Sequence, residues 1–317
     1  MTALLITRKL PDAVMDEAAA FADVTLWPEP GPLSPEQAAA TLQTYDAVIP
    51  TLGDGYGARA FAGGPFRCKG LANFGVGYNH IDAAAASAAG VTVTNTPGAV
   101  TDATADIALT LMLATCRRAG EGERILRAGQ WTGWQPTQML GLHMTGKALG
   151  IVGMGRIGKA IAKRAHYGFD MEVVFFNRSP VAEPGMPARQ LASLSEVLAE
   201  ADIVVLAVPA TPDTHHLIGR EALAAMRPHA HLVNIARGDI VDEAALIEAL
   251  QAGQIAGAGL DVYEFEPKVP EALIAMENVV LLPHLGTAAL EVREAMGRMA
   301  LDNARAILEG RTPPNPV

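Results

Sequence analysis

Cysteine is scarce. Cys68 and Cys116 are the two in 317 residues, too few for a disulfide framework or a metal site, and the expected state is a pair of reduced thiols in a cytoplasmic protein. Long hydrophobic runs are missing as well. The opening MTALLITRKLPD is too short an apolar stretch for a signal peptide, and no segment reaches the about 18 apolar residues of a membrane span. Excess positive charge is also absent. With 24 Lys and Arg against 34 Asp and Glu, the formal net charge is −10, so no general basic field exists to gather nucleic acid or an acidic bilayer. No segment repeats with a period of roughly 20–50 residues. What is present is a chain half apolar and 18% charged, the composition of a globular protein long enough for two domains with their own cores.

Short apolar runs alternate with helical patterns along the whole chain. ALLIT (3–7), DVTLW (23–27), DAVIP (46–50), GLANF (70–74) and VTVTN (91–95) read as one series of strands, with a helix predicted from Pro11. TDATADIALTLMLATCRRAGEGERILRAG, from Thr101, reads as a long helix or a pair, with Thr101 or Asp102 as the cap. LGIVG, EVVFFN, DIVVLAV, HLVNIA, IAGAGLDV and VVLLP make a second series. These runs are continuously apolar rather than alternating, as in strands covered on both faces, and their interleaving with helices predicts two doubly wound parallel α/β sheets. Between the two series lies GQWTGWQPTQMLGLHMTGK (129–147), which holds two of the three tryptophans. Such a segment either packs on its own domain or serves as an arm that meets a partner subunit or closes a site.

The strongest motif is Gly153-Met154-Gly155-Arg156-Ile157-Gly158. It follows an apolar strand and opens a helix whose apolar positions Ile157, Ile161 and Ala165 recur four apart, which is the setting that gives GxGxxG its meaning as a dinucleotide turn. Asn177 stands 19 residues after Gly158, at the tip of the next strand. An acid at that tip would hold the adenosine ribose and repel a 2′-phosphate. Here the chain has Asn177, Arg178 and Ser179, and a neutral tip beside a guanidinium fork favours NADP(H), with NAD(H) possible. The competing interpretation is a solvated loop arginine.

Three later strands each end on an ionisable residue: Arg237, then Asp261 with Glu264 and Glu266, then His284. Ligands of open α/β sheets bind beyond the carboxyl ends of strands, so these residues can converge. An arginine anchors a carboxylate, a histidine moves a proton, and a carboxylate orients the imidazole. Taken singly, each also reads as an ordinary loop charge. Together with NFGVGYNHID, GMGRIGKAIAKRA, NIARGDIVDEAAL, GAGLDVYEFEP and LLPHLGTA, in that order, they make the chain resemble the D-isomer-specific 2-hydroxyacid dehydrogenases from about residue 70 to 290, and among them the glyoxylate/hydroxypyruvate reductases.

The resemblance implies a Rossmann cofactor domain (99–286) inserted into a flavodoxin-like substrate domain (1–98 plus 287–317), a homodimer with an arm around 129–147, and no metal. It implies reduction of a small 2-oxo acid to a 2-hydroxy acid, with Arg237 as carboxylate clamp, His284 as acid and base, and Glu266 as its partner. Asp261 would meet the nicotinamide carboxamide, and Thr104, Val208, Pro209, Ile235, Ala236, His284 and Gly286 would join the glycine motif around the cofactor. Val76 and Gly77 would offer backbone N–H groups to the substrate carboxylate, with Leu52 and Trp134, or else Trp131, shaping the pocket. Two same-fold alternatives are a 2-ketogluconate or a phosphoglycerate dehydrogenase, though FGVGYN offers no extra basic residue for a substrate phosphate. From a different class comes a dinucleotide-sensing, corepressor-like binding protein.

Overall fold

A computed structural model describes residues 2–317. The chain forms two compact units. One comprises the residues up to Val100 together with Thr287–Val317, and the other Thr101–Gly286. In the first unit, β1 (Ala3–Ile6), β2 (Asp23–Leu26), β3 (Ala47–Ile49), β4 (Gly70–Ala72) and β5 (Thr92–Thr94) form an all-parallel sheet of order β2-β1-β3-β4-β5, the flavodoxin-like winding. Successive side chains point to opposite faces, and each face builds its own core. Leu5, Val48 and Leu71 join Leu42 and Tyr56 on one side, whereas Leu4, Ile6 and Ile49 meet Val14, Ala300 and Ala304 on the other. The terminal helix Leu290–Leu308 belongs to the second of these cores. Its Gly297 approaches Val14 so closely that a Cβ would stand 2.7 Å from the valine methyls.

In the second unit, β6 (Ala148–Val152), β7 (Glu172–Phe176), β8 (Arg189–Gln190), β9 (Ile203–Leu206), β10 (His231–Asn234), β11 (Gly257–Leu260) and β12 (Val279–Leu281) are also all parallel, in the order β12-β11-β10-β9-β6-β7-β8. This is a Rossmann-type sheet whose strand order reverses between β6 and β9. Leu149, Ile151, Val173 and Phe175 face one core, and Val152, Val204, Leu206 and Leu232 face the other. Every strand of the two apolar series is found. β8 escaped the sequence because two residues, Arg189 and Gln190, carry no apolar run.

Of the two expectations for the stretch from Thr101, the pair of helices holds, as Thr101–Cys116 and Ala119–Arg127, but both Thr101 and Asp102 lie inside the first helix and not before it as its cap. The break falls at Arg118, with φ +52°. Pro11 is the cap of the helix Asp12–Ala19 and not its first residue. Residues 130–147 form neither helix nor strand, and Trp131, Trp134 and Leu140 are 52%, 78% and 69% exposed. Both thiols are buried and unpaired, and burial pushes each up to about 12. Among the described residues, no helix is long and apolar enough to cross a membrane, and no group of three or more metal-binding side chains occurs.

His231 opens β10 inside the protein, 7% exposed, with Nδ1 lacking a hydrogen-bond partner. Burial, opposed by a backbone hydrogen bond at His229 and aided by that residue's charge, pushes its imidazole down to about 4. Its folded-state value therefore lies below its unfolded one. Between pH 4 and 6.5 the unfolded chain binds the extra proton, so acidification through that window removes stability. Denaturant unfolding at pH 7 and pH 5 should show His231→Leu losing less stability than the wild type over this step, by roughly 2 kcal/mol. Equal losses would mean that His231 is solvated in the native state.

Candidate active site

β6 ends at Val152, and the chain turns through Gly153, Met154 and Gly155 into the helix Arg156–Phe169. Gly153 has φ +99°, and a Cβ there would lie 2.7 Å from both Ala207 O and Val208 Cγ1. At Gly158 a Cβ would lie 2.2 Å from Gly153 O, so the helix rests directly on the turn. Gly155 differs, since a Cβ there would meet no protein atom within 4 Å. The space before the helix's first N–H groups is open, and the positive end of the helix faces it. Met154 and Ile157 are turned the other way: Met154 is 3% exposed within the core and Ile157 packs beside it. Arg156 is exposed. Val208 and Pro209 follow β9, and Ile235 and Ala236 follow β10, at the same carboxyl edge.

β7 presents the tip. Asn177 Nδ2 donates to Ser179 O (3.0 Å), and Gln190 Nε2 donates to both Asn177 O (3.1 Å) and Ser179 O (3.2 Å). β8 thus ties the tip back through its glutamine, while Arg178 remains exposed. The sequence shows no carboxylate within the tip, but the fold brings one to it. Asp213, in the turn after β9, lies 3.1 Å from Arg178 Nη1.

The loop after β10 is clamped by Asn234, whose Oδ1 accepts from Ala236 N–H (3.0 Å) and whose Nδ2 donates to Arg237 O (2.8 Å). Gly238 allows this loop to lie against the one after β11, since a Cβ there would stand 1.8 Å from the carbonyl carbon of Tyr263. Arg237 Nη1 donates to Ala236 O (2.7 Å). Burial lowers the guanidinium pKa, against the pull of Glu266 and Asp239.

Glu266 Oε1 accepts from Tyr263 N–H (3.1 Å), and its Oε2 lies 2.9 Å from His284 Nδ1. Partial burial pushes the Glu266 carboxyl up, but the bond and charge of His284, with Tyr263 N–H and Arg237, outweigh it and hold it below the usual range. His284 has φ +54°, a left-handed conformation that costs a non-glycine residue energy. The surrounding bonds hold it there. His284 N–H donates to Asp261 O (2.9 Å), and the Asp261 carboxylate accepts from the N–H groups of Leu285 (2.6 Å) and Gly286 (2.8 Å). Thr104 Oγ1 donates to Gly286 O (3.1 Å). Asp261 is 1% exposed, and burial pushes its carboxyl up, partly offset by these N–H groups and by His284.

A buried acid beside this pair escaped the sequence. Glu243, 6% exposed, accepts from Glu264 N–H (2.9 Å) and so fixes the loop that carries Glu266. Burial pushes its carboxyl up, and the Glu264 and Glu266 charges add to this against the Glu264 N–H bond. In VDEAAL it reads as a surface acid in a helix's first turn, and no pattern marks it as buried.

In the first unit, Leu52 follows β3 and its carbonyl accepts from Arg8 Nη1 (2.8 Å), while Arg8 also faces Asp54 (3.6 Å). Val76 and Gly77 follow β4. Asn73 Nδ2 donates to Gly75 O (2.9 Å) and Gly77 O (3.1 Å), and Asn95 Nδ2 to Val76 O (2.9 Å). With these carbonyls engaged, no acceptor among the described residues takes the N–H of Val76 or Gly77. Trp134 belongs to the second unit, on the segment without regular structure.

The chain as a whole is similar to known proteins. Residues 109–286 match the NAD-binding domain of the D-isomer specific 2-hydroxyacid dehydrogenases. The glyoxylate reductase of Thermococcus kodakarensis is 43% identical over 320 residues, covering 99% of this chain and 95% of that protein. The chain belongs to the D-isomer-specific 2-hydroxyacid dehydrogenases. Its fold is that of a Thermus thermophilus protein of known structure, at TM-score 0.91 and 43% identity with 99% of each chain covered. It is also that of the NADPH-dependent glyoxylate/hydroxypyruvate reductase of Sinorhizobium meliloti, solved with NADP and malonate, at TM-score 0.88 and 34% identity, covering 100% of this dehydrogenase and 96% of that chain. The dehydrogenase's own residues fit a dinucleotide, because the opening that Gly155 leaves at the helix N-terminus is filled by no side chain.

The two helix-proximal glycines should therefore fail differently. Gly158→Ala should lower the melting temperature, since the helix must move off the turn. Gly155→Val should leave melting nearly unchanged yet weaken dinucleotide binding by about ten-fold or more, read by nicotinamide fluorescence titration. Wild-type affinity in the second variant would show that the opening is not the diphosphate seat.

Proposed function

We propose that this dehydrogenase reduces small 2-oxo acids, glyoxylate and hydroxypyruvate foremost, to 2-hydroxy acids, with NADPH preferred over NADH. The observation that carries the reading is the pair of His284 and Glu266, 2.9 Å apart, at the carboxyl edge that also bears Arg237 and the glycine turn. The names of the relatives from Thermococcus kodakarensis and Sinorhizobium meliloti support the substrate class and the use of NADPH. The nicotinamide supplies the hydride when bound. The chain's residues supply the rest. Arg237 pairs with the substrate carboxylate and draws charge toward the 2-oxo oxygen. His284, with Nδ1–H donating to Glu266, presents Nε2 as the atom that gives the proton in reduction and takes it in oxidation. Val76 and Gly77 contribute backbone N–H groups to the substrate carboxylate, Leu52 and Trp134 shape the pocket, and Asp261 meets the carboxamide. Arg178, with Asn177 and Ser179, binds the 2′-phosphate. The exposed Trp131, Trp134 and Leu140 support a homodimer built through the arm, acting in the cytoplasm.

Steady-state assays with glyoxylate and hydroxypyruvate, each with both cofactors, test this directly. His284→Ala should lower kcat by about 10²–10⁴-fold with little change in cofactor affinity. Arg237→Ala should lower kcat and raise KM for the oxo acid. Arg178→Ala should lower the ratio of kcat/KM for NADPH to that for NADH. Near wild-type kcat/KM in either of the first two variants would remove the role assigned to that residue. Tight cofactor binding without turnover of any 2-oxo acid would favour a dinucleotide-sensing protein.

A further inference from the structure

Arg178 and Asp213 come from turns on either side of the dinucleotide turn. β6 lies between β7 and β9. Arg178 stands two residues past the end of β7, and Asp213 lies in the turn after β9. β6 itself is followed by Gly153, whose missing Cβ leaves room for Ala207 and Val208 just past β9. Neighbouring strands are about 4.8 Å apart, so a contact between the turns after β7 and β9 reaches across roughly two strand spacings. The 3.1 Å ion pair makes that reach.

The two ends of the pair differ in rigidity. Asp213 sits in the tight turn Pro212–Thr214, where Thr214 Oγ1 accepts from Thr211 N–H (2.8 Å) and donates to Pro209 O (2.8 Å). Thr214 is 9% exposed, so this turn is anchored in the protein. Arg178 is a long, flexible side chain. The anchored carboxylate holds the arginine, not the reverse.

We propose that Asp213 is a specificity-determining residue of the cofactor site, which holds Arg178 away from a 2′-phosphate and so limits the preference for NADPH over NADH. The inference rests on the assignment of Arg178 to the 2′-phosphate. A phosphate ester carries more charge than a carboxylate and accepts a bidentate fork, so it can win the guanidinium. It must first displace the Asp213 carboxylate from that guanidinium, which costs their mutual attraction. A ribose bearing a 2′-hydroxyl makes no such demand. The side chains of Arg178 and Asp213 are 72% and 76% exposed, so the competition is screened and the effect is moderate.

Calorimetric binding of adenosine 2′,5′-bisphosphate and of 5′-AMP to the full-length protein separates these terms without turnover. Asp213→Asn should bind the bisphosphate about 3- to 10-fold more tightly at low salt, change 5′-AMP affinity by less than about two-fold, and lose the gain at high salt. Asp213→Ala should behave alike, which excludes a residual asparagine–arginine bond as the cause. In an Arg178→Ala background neither substitution should matter. The proposal is overturned if Asp213→Asn leaves bisphosphate affinity unchanged or weaker, if both nucleotides gain equally, or if the gain persists without Arg178. The underlying assignment fails separately. If Arg178→Ala alone leaves the ratio of the two affinities at its wild-type value, Arg178 does not read the phosphate, and the role of Asp213 falls with it. If Arg178→Ala collapses the ratio while Asp213→Asn does not move it, the role of Asp213 alone is wrong.

Discussion

A parallel strand cannot be joined to its neighbour by a hairpin. Each must be followed by a crossover that climbs back over the sheet, so both faces are covered and one edge collects every loop that leaves a carboxyl end. Both sheets of this protein are parallel throughout, and the placement of its candidate site side chains follows from that. Arg237, Glu266 and His284 leave successive neighbouring strands, β10, β11 and β12, at one edge. The glycine turn leaves β6, where the strand order reverses and two crossovers diverge to open a crevice. The alternation of side chains that fills two cores per sheet also makes the strands rigid platforms for these loops.

Convergence at an edge is coarse, and backbone contacts refine it. Gly238 lets the Arg237 loop lie on Tyr263, and Gly158 lets a helix rest on Gly153. Asp261 gathers the N–H groups of Leu285 and Gly286 and thereby keeps His284 in a left-handed conformation that it would not hold unaided. That conformation costs on the order of 1–3 kcal/mol. The hydrogen bonds of one buried carboxylate, with the bond from Thr104 to Gly286 O, offset it. The imidazole is thus aimed at Glu266 by the backbone as well as by its own side-chain bond.

The candidate site residues could be picked from the sequence because their signals are local. GMGRIG follows an apolar run and opens a helix, and Arg237, Glu266 and His284 each stand just past such a run. The residues that support or oppose them could not. Asp213 lies 35 positions from Arg178, in a turn whose PDT reads as any solvated turn. Glu243 looks like a surface acid until the fold lays Glu264 over it. Arg8 is one of two basic residues after β1, and only the sheet order, which pairs β1 with β3, brings it to Leu52. The short β8 shows no apolar period at all, yet its Gln190 ties down the tip after β7. Side-chain partners drawn from distant loops leave no periodic mark, whereas strands and glycine turns do.

Charge poses the sharpest demand on this site. The chain carries −10 overall, and Asp261, Glu243, Glu264 and Glu266 crowd the edge where the proposed substrate and cofactor, both anions, must come. The structure answers by engaging these acids inward. Asp261 faces two N–H groups, Glu243 faces one, and Glu266 faces another together with His284. Glu264 faces His216 at 2.9 Å. Amide dipoles and imidazoles compensate each carboxylate, while Arg237 keeps its charge in a half-buried position, where burial lowers its pKa. A partly desolvated cation among compensated anions attracts a carboxylate more strongly than an exposed one does. An acidic protein can therefore hold anionic ligands without a basic surface, provided each acid near the site is committed to a backbone or side-chain partner. Asp213, committed to Arg178, is the acid whose partner the cofactor itself would claim.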